Sequence, residues 1–554
     1  MAVDVTEAIP EVAPVEGRRR PSLLKWGLWA LVAVPVLIAL AEAIRSPKLH
    51  FWDYWVVIAK SVDKSGELTD GVWRLHNEHP AVLASLAFWA DAKYFNGYNY
   101  VLGVFCVLMS IVMLFALIRM LPARLTGLPR AAVAVAVSFL VFSSSALEYY
   151  GIGMSGTHWL LGLMPSVVAI SFAHHGWTVP ALVFALIGSF GHGSAYPVWF
   201  TLALIAFLRR DHWWRIVTPV VLGAGVMIHW MTQEHPVAPT IQLVGADTYL
   251  ATALTMLGEA WVSRAIDLAS MVGAVIVVLY GIFTVRAVKE RQEPQTPRID
   301  YSGWIGLGVH TVLVAALIGF GRARFSVNEG LAPRFAMVSL LAASAVVVLL
   351  AVLGPRFLRT RIIPFALVVG IGTFAVGTYQ AGATRSYYPK QPVLAVAMHL
   401  EAKSVMLKMS ATPMSLAPMR ALKAYPFTDD FTLGCHGPEL GTTVDLKTAK
   451  DLPAPKFESG STMGAVETGE VRGDTEITGW AQVNAKSVDC VFITDQTGLV
   501  VGGGAVGLPR PDVREVISNG SGRSGWAAVA KPGTKDLIVL VSAEGQLYRI
   551  VTVI

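Results

Sequence analysis

The chain has 554 residues, of which 54% are apolar and 15% charged, and its mean hydropathy is +0.55. A soluble domain carries about 25% charged residues, so this balance excludes a soluble enzyme, a disordered protein and a coiled coil and indicates a polytopic membrane protein. The net charge of +6 comes without the basic stripe that nucleic-acid binding needs, and 3 Cys exclude a disulfide-rich scaffold.

Residues 1–22 are polar and end in Gly17-Arg18-Arg19-Arg20-Pro21; they are expected to form a disordered cytoplasmic segment. The apolar run Leu24 to Ala43 exceeds the roughly 7–15 residues of a signal-peptide core. It is expected to be a retained first helix with its basic side inside. Further apolar runs lie near 98–118, 131–148, 157–175, 178–191, 195–208, 215–232, 266–286, 301–320, 335–353 and 362–380, which makes about eleven spans. Counting from an inside N-terminus, the basic connections Arg119 to Arg130, Arg209 to Arg215, Arg286 to Arg298 and Arg356 to Arg361 all fall on the cytoplasmic side. The Gly191-His192-Gly193-Ser194-Ala195-Tyr196-Pro197 stretch leaves two alternatives open for 178–208: two short spans with a turn, or one broken span that would invert everything downstream. Irregular backbone at membrane depth normally lines a cavity, which brings in His192 and Tyr196.

The predicted domains are 1–22, a membrane domain over 23–384, and an extracytoplasmic, mainly β domain over 385–554. In the last, 392–425 reads as a helical connection. Short β-rich stretches at 476–483, 490–495, 498–501, 536–542 and 548–554 suggest an antiparallel sandwich. Gly479-Trp480-Ala481 and Gly525-Trp526-Ala527 form a weak repeat, with each Trp either a core residue or a sugar contact. Cys435 and Cys490 lie in this domain, where a bridge is chemically allowed but its geometry is open; Cys106 reads as a packing residue within a span.

Three outer loops carry candidate chemistry. After the first span comes His50-Phe51-Trp52-Asp53-Tyr54-Trp55. Trp52 and Trp55 fit an aromatic belt, but a carboxylate at the apolar boundary is costly and suggests a site. Desolvation is expected to raise the pKa of Asp53 toward values useful for a general base. Next, His76-Asn77-Glu78-His79 precedes an apolar helix. Asn77 as helix cap, with Glu78 favoured by the dipole, explains part of the motif but not two His. The spacing is a poor zinc signal, so the patch is assigned to catalysis or substrate binding; a divalent cation (Mg or Mn) stays an open option, and no metal site is assigned. The segment 81–96 is expected to lie in the interface rather than cross.

The third loop, 321–335, places Arg322, Arg324 and Arg334 on the outer side, where cations are disfavoured. Arginine forks match phosphate oxygens, and the alternative is ion pairing with Glu329. Arg385, Tyr387, Tyr388 and Lys390 could join this patch. Glu148, Tyr149 and His158 bracket a further loop and could line a sugar pocket, whereas Glu234-His235 and Asp247 to Glu259 show no clear role.

Phe51-Trp52-Asp53-Tyr54-Trp55 after a first span, the acidic patch His76-Asn77-Glu78-His79, about eleven spans and an outer C-terminal domain together resemble the GT-C type membrane glycosyltransferases. His76-Asn77-Glu78-His79 and Ala332-Pro333-Arg334-Phe335 also look like motifs of bacterial membrane proteins regarded as glycosyltransferases. The layout is similar to that of mycobacterial arabinofuranosyltransferases. The resemblance, over about residues 24–380, implies transfer of a sugar from a polyprenyl-phosphate carrier to a glycan or glycolipid acceptor of the cell envelope, by single-step inversion at the outer face of the cytoplasmic membrane. Asp53 then reads as general base and Glu78 as the second carboxylate. His76, Asn77, His79, Trp52, Trp55, Glu148, Tyr149 and His158 read as substrate contacts, and Arg322, Arg324 and Arg334 as carrier-phosphate ligands. Two alternatives stay open: a lipid-linked glycan polymerase or ligase, and a transporter or flippase of a lipid-linked sugar.

Overall fold

The computed structural model describes residues 23–233, 244–293, 299–435, 437–454, 461–467, 474–517 and 520–551. The N-terminal segment 1–22 and Glu234-His235 lie outside the described residues. Among those described, nine helices are long and apolar enough to cross a membrane: Leu23–Arg45, Asn99–Arg119, Gly127–Gly151, Gly153–His174, Trp213–Met231, Ile266–Gln292, Ser302–Arg322, Pro333–Leu353 and Ile362–Leu400. Each coincides with one of the expected spans. The two remaining expected spans are short helices, Thr178–Gly191 and Pro197–Leu208, of 14 and 12 residues.

Polar contacts sort the helix ends into two groups. At one end, Trp304 Nε1 donates to the Met120 carbonyl at 2.8 Å, Arg124 pairs with Asp300, Arg209 reaches the His174 carbonyl, and Arg286 Nη1 donates to Leu353 O at 2.9 Å. At the other end, the Asn99 amide donates to Ser46 Oγ (3.1 Å), Pro47 O (3.2 Å) and Gly151 O (3.0 Å), and Arg385 pairs with Glu42 at 2.6 Å. All the described arginine-rich connections fall in the first group.

This sorting resolves the 178–208 segment. Because Arg209 touches His174, the chain enters and leaves the hairpin at the same end of the bundle. Thr178–Gly191 rises along Gly153–His174, and the chain then turns through a short 3₁₀ element, Gly193–Ala195. Close packing of this hairpin needs glycine. A Cβ on Gly191 would lie 2.2 Å from the Leu161 carbonyl oxygen, and one on Gly162 would lie 2.6 Å from Ser194 Oγ.

The helix Val82–Tyr94 is a buried buttress at the far end of the bundle. It packs on Asp53–Ser61 and on Gly153–His174. His50 Nε2 meets Asp91 Oδ2 at 2.8 Å with both side chains enclosed, and His50 stacks on Tyr54 at 3.6 Å. Burial raises the Asp91 carboxyl above its usual range, against the pull of the His50 bond.

The expected helical connection is three short helices, Gln391–Leu400, Lys403–Met406 and Pro413–Ala421. The C-terminal region departs from the expected sandwich. Its strands are β1 (Lys450–Leu452), β2 (Met463–Val466), β3 (Ile477–Val483), β4 (Lys486–Ser487), β5 (Cys490–Thr494), β6 (Val500–Leu508), β7 (Gly525–Ala530), β8 (Ile538–Ala543) and β9 (Gln546–Ile550). They form one sheet in the order β1-β9-β8-β5-β6-β7-β3-β2, with β4 on β3. The sheet curls until its edges meet, where Gly464 N–H donates to Pro453 O at 3.2 Å. Register shifts in the β5–β6 and β6–β7 pairings bend the strands, and the Gly502-Gly503-Gly504 run facing Ala528 and Ala530 permits close backbone approach. The Gly-Trp-Ala repeat is a cross-strand pair, with Gly479 opposite Trp526 and Trp480 opposite Gly525. Both Trp are buried, so they are core residues.

Alternation along the strands divides them between two cores. Val491, Ile493, Val539 and Val541 fill the inside of the curl, while Cys490, Phe492 and Leu540 join the hydrophobic core shared with the helices. Cys435 and Cys490 are bridged, with Cα atoms 5.2 Å apart and 55 positions between them in sequence. Cys106 is free and buried. Maleimide labelling of the denatured protein is therefore expected to find one thiol before reduction and three after; three reactive thiols in unreduced protein would contradict the pairing.

Candidate functional site

A cavity of about 520 Å³ opens at the end of the bundle away from the arginine-rich connections. Four segments distant in sequence build it: the loop after the first helix, the 148–159 stretch, the 192–196 stretch and the 314–335 stretch.

Asp53 is the first residue of the helix Asp53–Ser61, so its carboxylate sits at the positive end of the helix dipole. The preceding residue, Trp52, has φ 33°, a left-handed conformation rare for an aromatic residue. That turn directs the chain from the buried His50-Phe51 pair into the helix. Asp53 Oδ2 lies 3.4 Å from His76 Nε2, and Asn77 Nδ2 lies 3.4 Å from the same nitrogen.

The expected rise in the Asp53 pKa is not observed. The His76 imidazole, 3.4 Å away, holds the carboxyl below its usual value against the upward push of burial, with His158 and Arg334 adding to the lowering. Asp53 is thus an anion at neutral pH with an imidazole beside it.

The His76–His79 motif is not a helix cap. The His76 N–H donates to His79 O at 2.9 Å and the His79 N–H donates back to His76 O at 3.0 Å, which closes a tight turn with Asn77 at φ 53°. The following helix starts at Val82 with Ala81 as its uncapped N-terminus. The turn fixes two imidazoles against partners from the bundle, His76 beside His158 (5.4 Å between ring centres) and His79 beside His192 (4.6 Å). Burial, and then Arg322 and His76, press the His79 pKa down to about 4, so His79 is neutral near pH 7.

Of the proposed arginines, Arg322 and Arg334 line the cavity and Arg324 does not. Arg324 pairs with Glu78, joining two loops 246 positions apart, and Arg334 pairs with Glu329 at 3.1 Å. These pairs bear on two of the expected roles. Glu78 is engaged by a guanidinium rather than standing as a second free carboxylate, and Arg324 is consumed by it. Among the described residues Arg322 has no carboxylate partner. Arg385 and Lys390 are likewise taken, by Glu42 and Glu476.

Trp52, His76, Asn77, His79, Glu148 and His158 line the cavity with Asp53 and Glu78. Trp55 and Tyr149 are core residues instead. Trp55 Nε1 donates to His50 O at 3.1 Å, and Tyr149 Oη donates to the Arg334 carbonyl at 2.5 Å, holding that loop from beneath. Ser155 and Ser194 also line the cavity, with Ser155 Oγ donating to Glu148 Oε1 at 2.8 Å; Ser194 lay in the Gly-rich break at 191–197, whereas Ser155 carried no such signal. Among the described residues no group of three His, Cys, Asp or Glu has the arrangement to hold a metal ion.

Comparison of the chain with protein-family models, curated proteins and solved structures finds no match. The chemistry of the cavity itself therefore carries the functional argument.

The Asp53 shift has a consequence for pH. A carboxyl with a lowered folded-state pKa contributes stability fully above the unfolded value near about 4 and loses it as pH falls through the folded value. Replacing His76 with Ala leaves burial as the dominant influence, so Asp53 is expected to protonate at higher pH. Infrared titration of the carboxyl band, with Asp53→Asn as reference, measures this; identical titration in both backgrounds would reject His76 as the cause.

Proposed function

We propose that the protein is a membrane glycosyltransferase that moves a sugar from a polyprenyl-phosphate carrier to a hydroxyl of an envelope glycan or lipid at the outer face of the cytoplasmic membrane. The observation that carries this reading is the presence of Asp53, Arg322 and Arg334 around one cavity. That cavity lies at the opposite end of the bundle from Arg124, Arg209, Arg286 and the exposed Arg356–Arg361 connection. Cytoplasmic loops collect Lys and Arg, and this bias supports reading the cavity as facing the outer side.

In the reaction, the acceptor oxygen bonds to the anomeric carbon while the bond from that carbon to the phosphate oxygen breaks, its electron pair leaving with the polyprenyl phosphate. The hydroxyl proton passes to the Asp53 carboxylate. A low-pKa carboxylate suffices because the hydroxyl becomes strongly acidic only as the new bond forms. His76 keeps the carboxylate ionised and aimed. The leaving phosphate needs positive charge rather than an acid, and Arg322, which makes no ion pair among the described residues, offers it, with Arg334 adjacent.

The short-helix hairpin gives the transporter reading one supporting feature, since transporters use broken helices at binding sites. Transfer assayed in detergent, where there is no bilayer to cross, separates the two. Asp53→Asn is expected to cut transfer at least ~100-fold while carrier binding stays within about twofold. Arg322→Ala is expected to weaken polyprenyl-phosphate binding about tenfold or more. Full transfer by Asp53→Asn, or unchanged lipid binding by Arg322→Ala, would reject the corresponding role.

A further inference from the structure

We infer that the cavity has two levels: a charged rim for phosphate, and a floor, built by the hairpin tip and His158, that recognises the hydroxyls of the sugar. The inference rests on the carrier-lipid reading and deepens it, by separating the groups that meet the sugar from those that meet the phosphate.

Depth is the first observation. A helix of 14 or 12 residues is about 21 or 18 Å long, whereas the 21-residue helix ending at Arg322 runs to about 31 Å. The hairpin helices are thus about 10 Å shorter than the helix that carries Arg322, and their unwound tip, Gly193–Ala195, lies beneath the first loop at His79 and lines the cavity.

Unmet hydrogen bonding is the second. Ser194 Oγ and His158 Nε2 are buried without any hydrogen-bond partner, and both residues line the cavity. A third group has a defined role. The Ser194 backbone N–H donates to His192 Nδ1 at 3.1 Å, which makes that nitrogen an acceptor and leaves the proton of the neutral ring on Nε2. The floor thus offers a hydroxyl and two imidazoles, with the indole of Trp159 against His192 at 4.3 Å. Neutral donors and acceptors beside an aromatic surface suit a hydroxyl-bearing ring. The arginines and Asp53 at the rim suit phosphate and the reacting bond.

The hairpin tip is also built to stay in place. A Cβ on Gly193 would lie 2.7 Å from His79 Nδ1 and one on Gly188 would lie 3.1 Å from Ala195, so the floor is seated against both the first loop and its own helix.

The test uses the full chain in nanodiscs and measures binding of bare undecaprenyl phosphate and decaprenyl phosphate against their arabinosyl, glucosyl and mannosyl forms. The unaltered protein is expected to bind at least one loaded lipid tenfold or more tightly than its bare counterpart. Ser194→Ala and His158→Phe are each expected to lose at least fivefold of that preference while holding the bare lipid within twofold, which also shows that the variants are folded. Equal weakening of loaded and bare lipid, an unchanged preference in both variants, or no preference in the unaltered protein would overturn the floor assignment alone. Failure of the unaltered protein to bind any of these lipids would reject the carrier reading and the floor with it.

Discussion

Peptide groups cannot stand unpaired in hydrocarbon, so a chain that unwinds within a bilayer must do so against protein or a water-filled space. The segment from His192 to Tyr196 unwinds between two helices each too short to cross. Much of the architecture follows from that constraint. The tip needs polar surroundings, which the cavity supplies; it needs close backing, which Gly162, Gly188 and Gly191 permit; and the chain must return to the end from which it came. The return preserves the alternation of basic and non-basic connections along the chain.

The electrostatics of the rim follow from pairing. Glu78 and Glu329 each take one guanidinium, and both pairs are partly open to solvent, where an ion pair contributes on the order of 0–1 kcal/mol. Their importance is therefore positional. The Glu78–Arg324 pair ties the first loop to the 321–335 loop, and Tyr149 anchors the same loop through the Arg334 carbonyl. Arg322, at the end of its helix, keeps its charge available. Across the cavity, the His76–His79 turn holds one imidazole on Asp53 and the other, neutral one against His192.

Much of this was legible in the sequence. Long apolar runs separated by arginines marked all nine long helices, and the Gly-rich 191–197 stretch marked a break, because hydropathy and glycine report directly on burial and backbone freedom. Asp53, His76 and Arg334 stood out because charge at an apolar boundary is expensive. Other features depended on three-dimensional partners. The Asp53 shift is decided by a histidine 23 positions away, so desolvation reasoning alone gave the wrong sign. Trp55 and Tyr149 have the same composition signal as Trp52, and only packing separates core from wall. Strand β7, Gly-Trp-Ala-Ala-Val-Ala, is too rich in small residues to read as a strand, and those same residues let the sheet curl where two separate layers were expected.

The division of the C-terminal strands between two cores bears on modularity. Phe492 and Leu540 are interior residues only while the short connecting helices, Gln391–Leu400 foremost, lie against the sheet, so the sheet and those helices form one unit. Severed from those connecting helices, it would carry an oily underside into water. In an evolutionary sense the two parts are bound to change together, since a mutation on either side of that seam alters the fit of the other.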